Sequence, residues 1–404
     1  MTKVDQEKIQ EILTRGVDET IDRDHLEKEL KSGRQLRIKF GIDPTSPDLH
    51  LGHSIPLRKL KQFQDLGHKV ILLIGNFTAT IGDPSGRSTQ RPQLTEKQVK
   101  QNMKDYVKQA AKILDIRKVE IRYNNEWYKK KGATFLMDLS SKFTLARIAE
   151  RDDFKQRIKD DVDISMLELI YPLLQGYDSV ELKSDVEIGG RDQKFNLLMG
   201  RKVQKRYDMA EQDIMTMPLL EGVDGLKKMS KSLGNYISLT EKPSQMYGKV
   251  MSIPDELMWK YFNLLTEVSS EEITKMKDDK QKLLISPRDI KARLAKEIVK
   301  MYHGEDVSKI AEEEFNKVFR NKELPSDIAV FEIENKQCSI LDVLSDSKLA
   351  SSKNEAKRLV EGGGVEVING DKKERISDWR KEVTLEDGVI VKVGSRKFVK
   401  IKIK

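Results

Sequence analysis

The chain has 404 residues, too many for one ordinary hydrophobic core and enough for two or three domains. Hydrophobic residues make up 38% and charged residues 35%, and 74 Lys+Arg against 66 Asp+Glu leave a net charge of +8, which describes a soluble globular protein whose basic surface suits an anionic partner. The longest aliphatic run, residues 70–74, is far below the roughly 20 needed to span a bilayer. The charged opening MTKVDQEKIQ does not read as a signal peptide, and the single cysteine, Cys338, rules out an internal disulfide and a cysteine-rich zinc site. No membrane association and a reducing, cytoplasmic location are expected.

In chain order, LRIKFGI (36–42) reads as a strand. A Pro-rich turn leads into a helix predicted over about 52–66, with Leu57, Leu60, Phe63 and Leu66 inward, Arg58, Lys59, Gln62 and Asp65 outward, and Gly67 closing it. KVILLIGN (69–76) is a continuous apolar run, as a strand buried on both faces requires. The first half therefore follows the α/β pattern of a parallel sheet covered by helices, with a ligand crevice beyond the carboxyl ends of the strands. Residues 243–319 carry no strand signal, and Ile290, Leu294, Ile298 and Met301 stand at helical spacing. Residues 321–337, with Pro325 and little periodicity, read as a linker. Residues 338–404 hold 15 Lys+Arg and 11 Asp+Glu, so one sixth of the chain carries half of the net charge.

Three local patterns carry chemistry. In HLGH, His50 and His53 flank Gly52 at the predicted strand-to-helix turn. An arbitrary HxxH is most often a pair of surface or capping residues, and without a nearby carboxylate the spacing is a poor zinc motif. At a helix N-terminus, however, imidazoles and free N–H groups can bind phosphates while the glycine admits a close approach. The run Gly82 to Ser88 is not a P-loop, since three residues separate its glycines and Arg87 stands where lysine is needed; Asp83 in it suits an ammonium group. The third pattern is KMSKS, Lys228-Met229-Ser230-Lys231-Ser232, between Gly225 and Gly234. A basic loop is commonly a solvated surface, but two lysines on a closing loop can also neutralise a departing polyphosphate.

HLGH resembles the HIGH motif and KMSKS the second signature of the class I aminoacyl-tRNA synthetases, here about 175 residues apart and in the family order. GIDPT (41–45), IGDPSG (81–86), YPLLQGYD (171–178) and IGGRDQ (188–193) resemble the bacterial tyrosyl-tRNA synthetases within that class, in the KMSKS-containing subgroup, over nearly the whole chain. Tyr171, Gln175 and Asp178 are spaced to share one helical face, which spacing alone would assign to an ordinary polar face. The resemblance implies instead an L-tyrosine pocket. In it Tyr171, Gln175 and Asp83 sit near the substrate ammonium, Asp178 near the phenol hydroxyl and Gln193 near the reacting carboxylate, with Asp43 and Thr78 also matching pocket positions. It implies catalytic roles for His50, His53, Lys228 and Lys231, and an ATP site that also includes Gly41, Thr45, Gly52, Gly189, Asp192, Met229, Ser230 and Ser232. Two positions depart from the commoner family pattern: Lys39, which the resemblance counts among the tyrosine-binding residues, stands where a hydroxyl-contacting tyrosine is frequent, and Glu187 where a glutamine is.

The tail reads independently. Residues 352–355 (SKNE) form a capping box, and the next helix puts Ala356, Leu359 and Val360 on one side, while Lys353 and Lys357 lie four apart with Arg358 beside them. A basic helix is most often only a solvated face. The pattern SxxEAKRLVxxGGVxVxNG, however, resembles the RNA-binding module first named in the fourth small-subunit ribosomal protein, which implies phosphate contacts from those three residues.

The resemblance thus implies a Rossmann-type class I catalytic domain (1–224), a KMSKS loop (225–240), an all-helical tRNA-binding domain (241–320), a linker (321–337) and a small C-terminal α+β RNA-binding module (338–404). It implies tRNA(Tyr), L-tyrosine and ATP with Mg2+ as substrates, no protein-bound zinc, and a homodimer using an insert around 124–143. Two other classes stand beside this reading. Intact HLGH and KMSKS argue against a non-catalytic RNA-binding paralogue, and the helical and RNA-binding segments argue against a nucleotidyltransferase acting on another substrate.

Overall fold

The computed structural model describes residues 4–85, 93–319, 324, 328–370, 372–380, 382–394 and 397–404. They divide into two compact units, Met1–Glu312 and Glu313–Lys404. Among the described residues no helix is long and apolar enough to cross a membrane.

The first unit is built on strands β1 (Glu19–Ile21), β2 (Arg37–Ile42), β3 (Lys69–Ile74), β4 (Val119–Tyr123), β5 (Val186–Gly190) and β6 (Asp213–Met217). Their order is β1-β6-β5-β2-β3-β4, all parallel except β1, which pairs antiparallel with β6. β3 is wholly buried beyond Lys69, as its apolar run requires. The chain runs outward from β2 to β4 and then returns to the other side of β2, so the strand order reverses between β2 and β5. Such a reversal opens a crevice at the carboxyl ends of the two strands.

The helix after β2 spans Leu51–Asp65 and ends at Leu66, before Gly67 at a φ of 88°. Leu57, Leu60, Phe63 and Leu66 are buried as expected. Lys59 corrects the outward assignment: it is buried, because its Nζ donates to the carbonyls of Ile12 (2.8 Å) and Arg15 (2.9 Å) at the end of helix Gln6–Thr14. Those carbonyls lie where a helix runs out of its own donors. Burial lowers the Lys59 pKa to about 7.

The segment expected to be helical contains Pro243–Met251, Met258–Leu265, Ser270–Gln281, Pro287–His303 and Glu305–Phe319. Ile290, Leu294 and Ile298 are fully buried. The positions 224 and 240, expected as boundaries, both fall within one compact unit. Bonds from Leu51 N to Ile237 O and from Leu239 N to Leu49 O tie the KMSKS segment to the turn after β2.

The second unit holds β7 (Val330–Ile333), β8 (Gln337–Ser339), β9 (Val365–Asn369), β10 (Lys372–Ile376), β11 (Glu382–Thr384), β12 (Ile390–Val393) and β13 (Lys397–Ile403). Five form a sheet in the order β10-β9-β12-β13-β7, and β8 pairs with β11. Helices Ile340–Asp346 and Lys353–Glu361 cover a core that includes Leu344, Val360, Val365, Val391 and Ile401. The linker expectation needs correction here. β7 lies inside residues 321–337 and pairs parallel with β13, Phe331 opposite Ile401, with Ile333 buried in this core. Residues 321–323 and 325–327 of that segment lie outside the described residues.

Candidate active site

The turn after β2 is shaped by its two histidines. Gly52 N donates to His50 Nδ1 (3.1 Å) and His50 N donates to His53 Nδ1 (3.2 Å), so each ring caps part of the helix N-terminus. A Cβ on Gly52 would lie 2.9 Å from the His50 ring, so the glycine makes this cap possible. Because both Nδ1 atoms accept, a neutral ring carries its proton on Nε2. Burial, with Lys228 and Lys231 nearby, lowers the pKa of His50 to about 2 and of His53 to about 4. Both imidazoles are therefore neutral Nε2–H donors at physiological pH.

At the carboxyl end of β2, Asp43 accepts hydrogen bonds from the Thr78 hydroxyl (2.8 Å) and the Tyr171 hydroxyl (2.9 Å). A Cβ on Gly75 would lie 2.0 Å from Asp43 Oδ1, so only glycine admits that carboxylate. Helix Met166–Leu182, begun by a Ser165/Glu168 capping box, carries Tyr171, Gln175 and Asp178. Asp178 accepts from Trp127 Nε1 (3.0 Å) and Asn124 Nδ2 (3.3 Å), and Asn124 Nδ2 also reaches Thr78 (2.9 Å). Burial raises the Asp178 pKa to about 7, opposed first by Lys39 and then by these donors. Asp83 accepts from Gln193 Nε2 (2.7 Å) and Asn196 Nδ2 (3.3 Å). Gly86, Arg87 and Ser88, at the end of the same turn, lie outside the described residues.

The KMSKS segment is pinned by Asn235. Its Oδ1 accepts from Ser230 N (2.8 Å), and its Nδ2 donates to Asp224 (2.9 Å) and to the Lys227 and Lys228 carbonyls. Lys228 Nζ lies 3.0 Å from Asp192, and Lys231 Nζ 3.1 Å from Asp48.

Every catalytic, tyrosine-pocket and ATP-pocket residue expected from the sequence lines one cavity of about 700 Å³, Lys39 included. It offers two kinds of surface: carboxylates and amides from Asp43, Asp83, Gln175, Asp178 and Gln193, and imidazole and ammonium donors from HLGH and KMSKS. An amino acid suits the first and a polyphosphate the second. Among the described residues no group of three or more His, Cys, Asp and Glu is arranged to hold a metal ion.

Sequence reasoning passed over Trp127, Asn124, Asn196 and Asn235, which hold the site residues in place. A cue existed for Trp127: it is one of only three tryptophans, and a buried indole N–H needs an acceptor.

Lys353, Lys357 and Arg358 stand on helix Lys353–Glu361 of the second unit, which buries Ala356 and Val360. Lys353 pairs with Asp342 at 2.5 Å, Lys357 lies over the Trp379 ring at 4.5 Å, and Arg358 is exposed. The capping box is half formed. Ser352 caps Glu355 N, but the Glu355 carboxylate bonds the backbone of Ser351 rather than of Ser352.

A family profile described as tRNA synthetases class I (W and Y) matches residues 31–320. The chain is 49% identical over 401 residues to the tyrosine–tRNA ligase of Thermotoga maritima, covering 99% of this chain and 98% of that protein. It is 46% identical over 390 residues to that of Aquifex aeolicus, covering 96% and 97%. Among solved structures, a C-terminally truncated mitochondrial tyrosyl-tRNA synthetase from Aspergillus nidulans matches with a TM-score of 0.65 at 25% identity, covering 77% of this chain and 94% of that one. A tyrosyl-tRNA synthetase from Archaeoglobus fulgidus complexed with L-tyrosine matches in fold with a TM-score of 0.61 at 21% identity, covering 77% and 100%.

Proposed function

The chain belongs to the class I tRNA synthetases of the tryptophan and tyrosine family, and we infer from that premise that it joins L-tyrosine to its tRNA. The reaction has two steps. A carboxylate oxygen of tyrosine attacks the α-phosphorus of ATP, the bond to the β-phosphate oxygen breaks, and pyrophosphate leaves with its electron pair. A ribose hydroxyl of the terminal adenosine of tRNA(Tyr) then attacks the carbonyl carbon of the adenylate, and AMP leaves.

Neither step needs a covalent enzyme nucleophile, so the work of the residues is positioning and charge compensation. The neutral Nε2–H groups of His50 and His53 donate hydrogen bonds to phosphate oxygens, and Lys228 and Lys231 take up the charge of the leaving pyrophosphate. Asp83, Tyr171 and Gln175 receive the amino-acid ammonium, and Asp178 accepts the phenol hydroxyl. Gln193 lies toward the reacting carboxylate. Gly41, Thr45, Gly52, Gly189, Asp192 and residues 228–232 form the nucleotide side. ATP enters with Mg2+ as its counter-ion.

The observation that carries tyrosine over another amino acid is the buried Asp178 carboxylate, held by Trp127 and Asn124 in the cavity that HLGH and KMSKS also line. A pocket ending in such an acceptor selects a hydroxyl. Lys353, Lys357 and Arg358 bind tRNA phosphates, and the helical segment contacts the same tRNA. Two copies form the working enzyme, a reading supported by the exposed Met137, Leu145, Ile158 and Met166 in and after the 124–143 insert. The reactions proposed belong to the cytoplasm.

ATP–pyrophosphate exchange with each of the twenty amino acids tests the assignment. Exchange should require L-tyrosine and Mg2+ and survive zinc chelation. Stimulation by tryptophan, or by no amino acid, overturns it.

A further inference from the structure

Beneath the amino-acid side of the cavity lies a buried charge pair that the two-step reaction does not use. Lys39 on β2 and Glu187 on β5 are direct partners in the register of the two parallel strands at the point where strand order reverses. Neighbours in register share a face of the sheet, so both side chains rise toward helix Met166–Leu182. Lys39 Nζ is 2.9 Å from Glu187 Oε1, with both side chains almost wholly out of solvent. Lys39 Nζ also donates to Ser179 Oγ at 2.6 Å, and Ser179 Oγ donates in turn to Glu187 Oε2 at 3.2 Å. Gln212 Nε2 closes on the same Oε2. Gly200 keeps the space open, since a Cβ there would lie 2.5 Å from Gln212 Nε2 and 3.0 Å from Glu187 Oε2. A buried ion pair replaced by apolar groups often costs a fold nothing, so stability alone is a weak reason for this one.

The remaining contact gives a reason. Gln175 Nε2 donates to Glu187 Oε1 at 3.4 Å. An ionised carboxylate only accepts, so it can bond the amide nitrogen of Gln175 and never the amide oxygen. A glutamine at position 187 could bond either end of the Gln175 carboxamide. We propose that Glu187, anchored by Lys39, is a positioning residue for substrate recognition: it fixes the Gln175 carboxamide with Nε2 turned away and Oε1 left to the cavity as the acceptor for the ammonium of the amino-acid substrate. On this reading Lys39 does not touch the substrate, because its ammonium is committed to Glu187 and Ser179. Glu187 acts through Gln175, and the effect is confined to the ammonium end of the ligand. The inference rests on the reading of Gln175 as an ammonium contact in a tyrosine-activating site.

The test is Glu187→Gln in the full-length protein, read in steady-state ATP–pyrophosphate exchange. The KM for tyrosine should rise about tenfold, the loss of one oriented hydrogen bond to a charged group, with kcat and the KM for ATP little changed. The inhibition constant of 3-(4-hydroxyphenyl)propionate, which keeps the phenol and carboxylate but lacks the ammonium, should not move. Glu187→Asp keeps a charge for Lys39 but draws the carboxylate back from Gln175 by one methylene, so it should also raise the tyrosine KM while leaving the inhibition constant of the des-amino compound unmoved. An unchanged tyrosine KM in Glu187→Gln overturns the proposal. So does equal weakening of tyrosine and the des-amino compound, which marks a merely structural residue. Should Glu187→Gln not fold, Glu187→Asp decides: a raised tyrosine KM with an unmoved des-amino inhibition constant supports the proposal, and an unchanged tyrosine KM or equal weakening of both ligands overturns it. Exchange by the parent protein is the control that separates this inference from the assignment of function: a parent that does not respond to tyrosine removes the assignment, whereas a tyrosine-responsive parent with an indifferent Glu187→Gln removes only the positioning role.

Discussion

Lys231 Nζ lies 3.1 Å from Asp48 Oδ2, across the gap between the KMSKS segment and the turn that leads into HLGH. The lysine side chain is about four-fifths covered, and its ammonium also stands 5.6 Å from the Tyr236 ring, so it is held beside the cavity by an acidic partner. Polyphosphate carries more charge than one carboxylate, so Lys231 can exchange Asp48 for substrate when ATP enters. Lys231→Ala should lower the pre-steady-state rate of adenylate formation about a hundredfold, as loss of one preorganised charge partner does, while tyrosine affinity changes little. Rapid-quench measurement of adenylate checks this. An unchanged rate removes Lys231 from the transition state.

Asp178 supplies a second prediction. Asp178→Ala should reduce kcat/KM for tyrosine about a hundredfold, the scale of one hydrogen bond to a charged group, and reduce that for phenylalanine far less. The variant also strands Trp127 Nε1 without its carboxylate, while Asn124 Nδ2 keeps Thr78, so stability should fall by about 1–3 kcal/mol for a buried donor left unpaired. Exchange assays with both amino acids, beside a denaturant titration, separate the two effects. Equal losses for tyrosine and phenylalanine place Asp178 in a structural role.

A pH dependence follows from the same carboxyl. Burial has raised its pKa to about 7, against the lowering influence of Lys39, Tyr128, Asn124 and Trp127 around it. In the proposed site the ionised form accepts the hydrogen bond of the phenol hydroxyl. Below the pKa the carboxyl is protonated in the empty site, and binding of tyrosine must expel that proton. The tyrosine KM should therefore fall as pH rises from 6 through 7 and level off above it, whereas Asp178→Asn should flatten the profile. The two histidines do not share this window, since their pKa values near 2 and 4 keep them neutral throughout. A flat profile for the parent protein contradicts the acceptor role.

The reach of sequence reasoning follows the range of the interactions involved. HLGH is legible because a helix cap is made within four residues, and Tyr171, Gln175 and Asp178 because one helix aligns them. The pairing of Lys39 with Glu187 is not, since it depends on β5 lying beside β2, across 148 residues of chain. Trp127 meets Asp178 across 51 residues for the same kind of reason. Polarity alone points Lys59 outward, because the carbonyls it caps belong to a helix 44 to 47 residues earlier. β7 is hidden by its brevity: four residues give little alternation, and their partner strand lies about 70 positions further on.

Removing the second unit tests the division of labour between the two halves of the reaction. The position of β7 sets where to cut: ending the chain at 337 would keep a strand whose partner β13 is gone, so the truncated protein should end after Phe319. Each unit has its own buried core, that of the second including Leu344, Val360 and Val391, so the first should stay folded. All of the cavity lining belongs to the first unit, so tyrosine-dependent exchange should continue nearly unchanged. Aminoacylation should fall steeply through weaker tRNA binding, because the deleted residues 320–404 carry Lys353, Lys357 and Arg358 and, with 18 Lys+Arg against 15 Asp+Glu, +3 of the net charge of +8. The full-length protein should also lose tRNA affinity with rising salt more steeply than the truncated one, since a protein that neutralises fewer phosphates releases fewer counterions on binding. Filter binding over a salt series, beside charging assays at equal tRNA concentration, checks both. If the truncated protein charges tRNA as well as the parent and shows the same salt slope, the helix bearing Arg358 is a solvated surface and tRNA is held by the first unit alone.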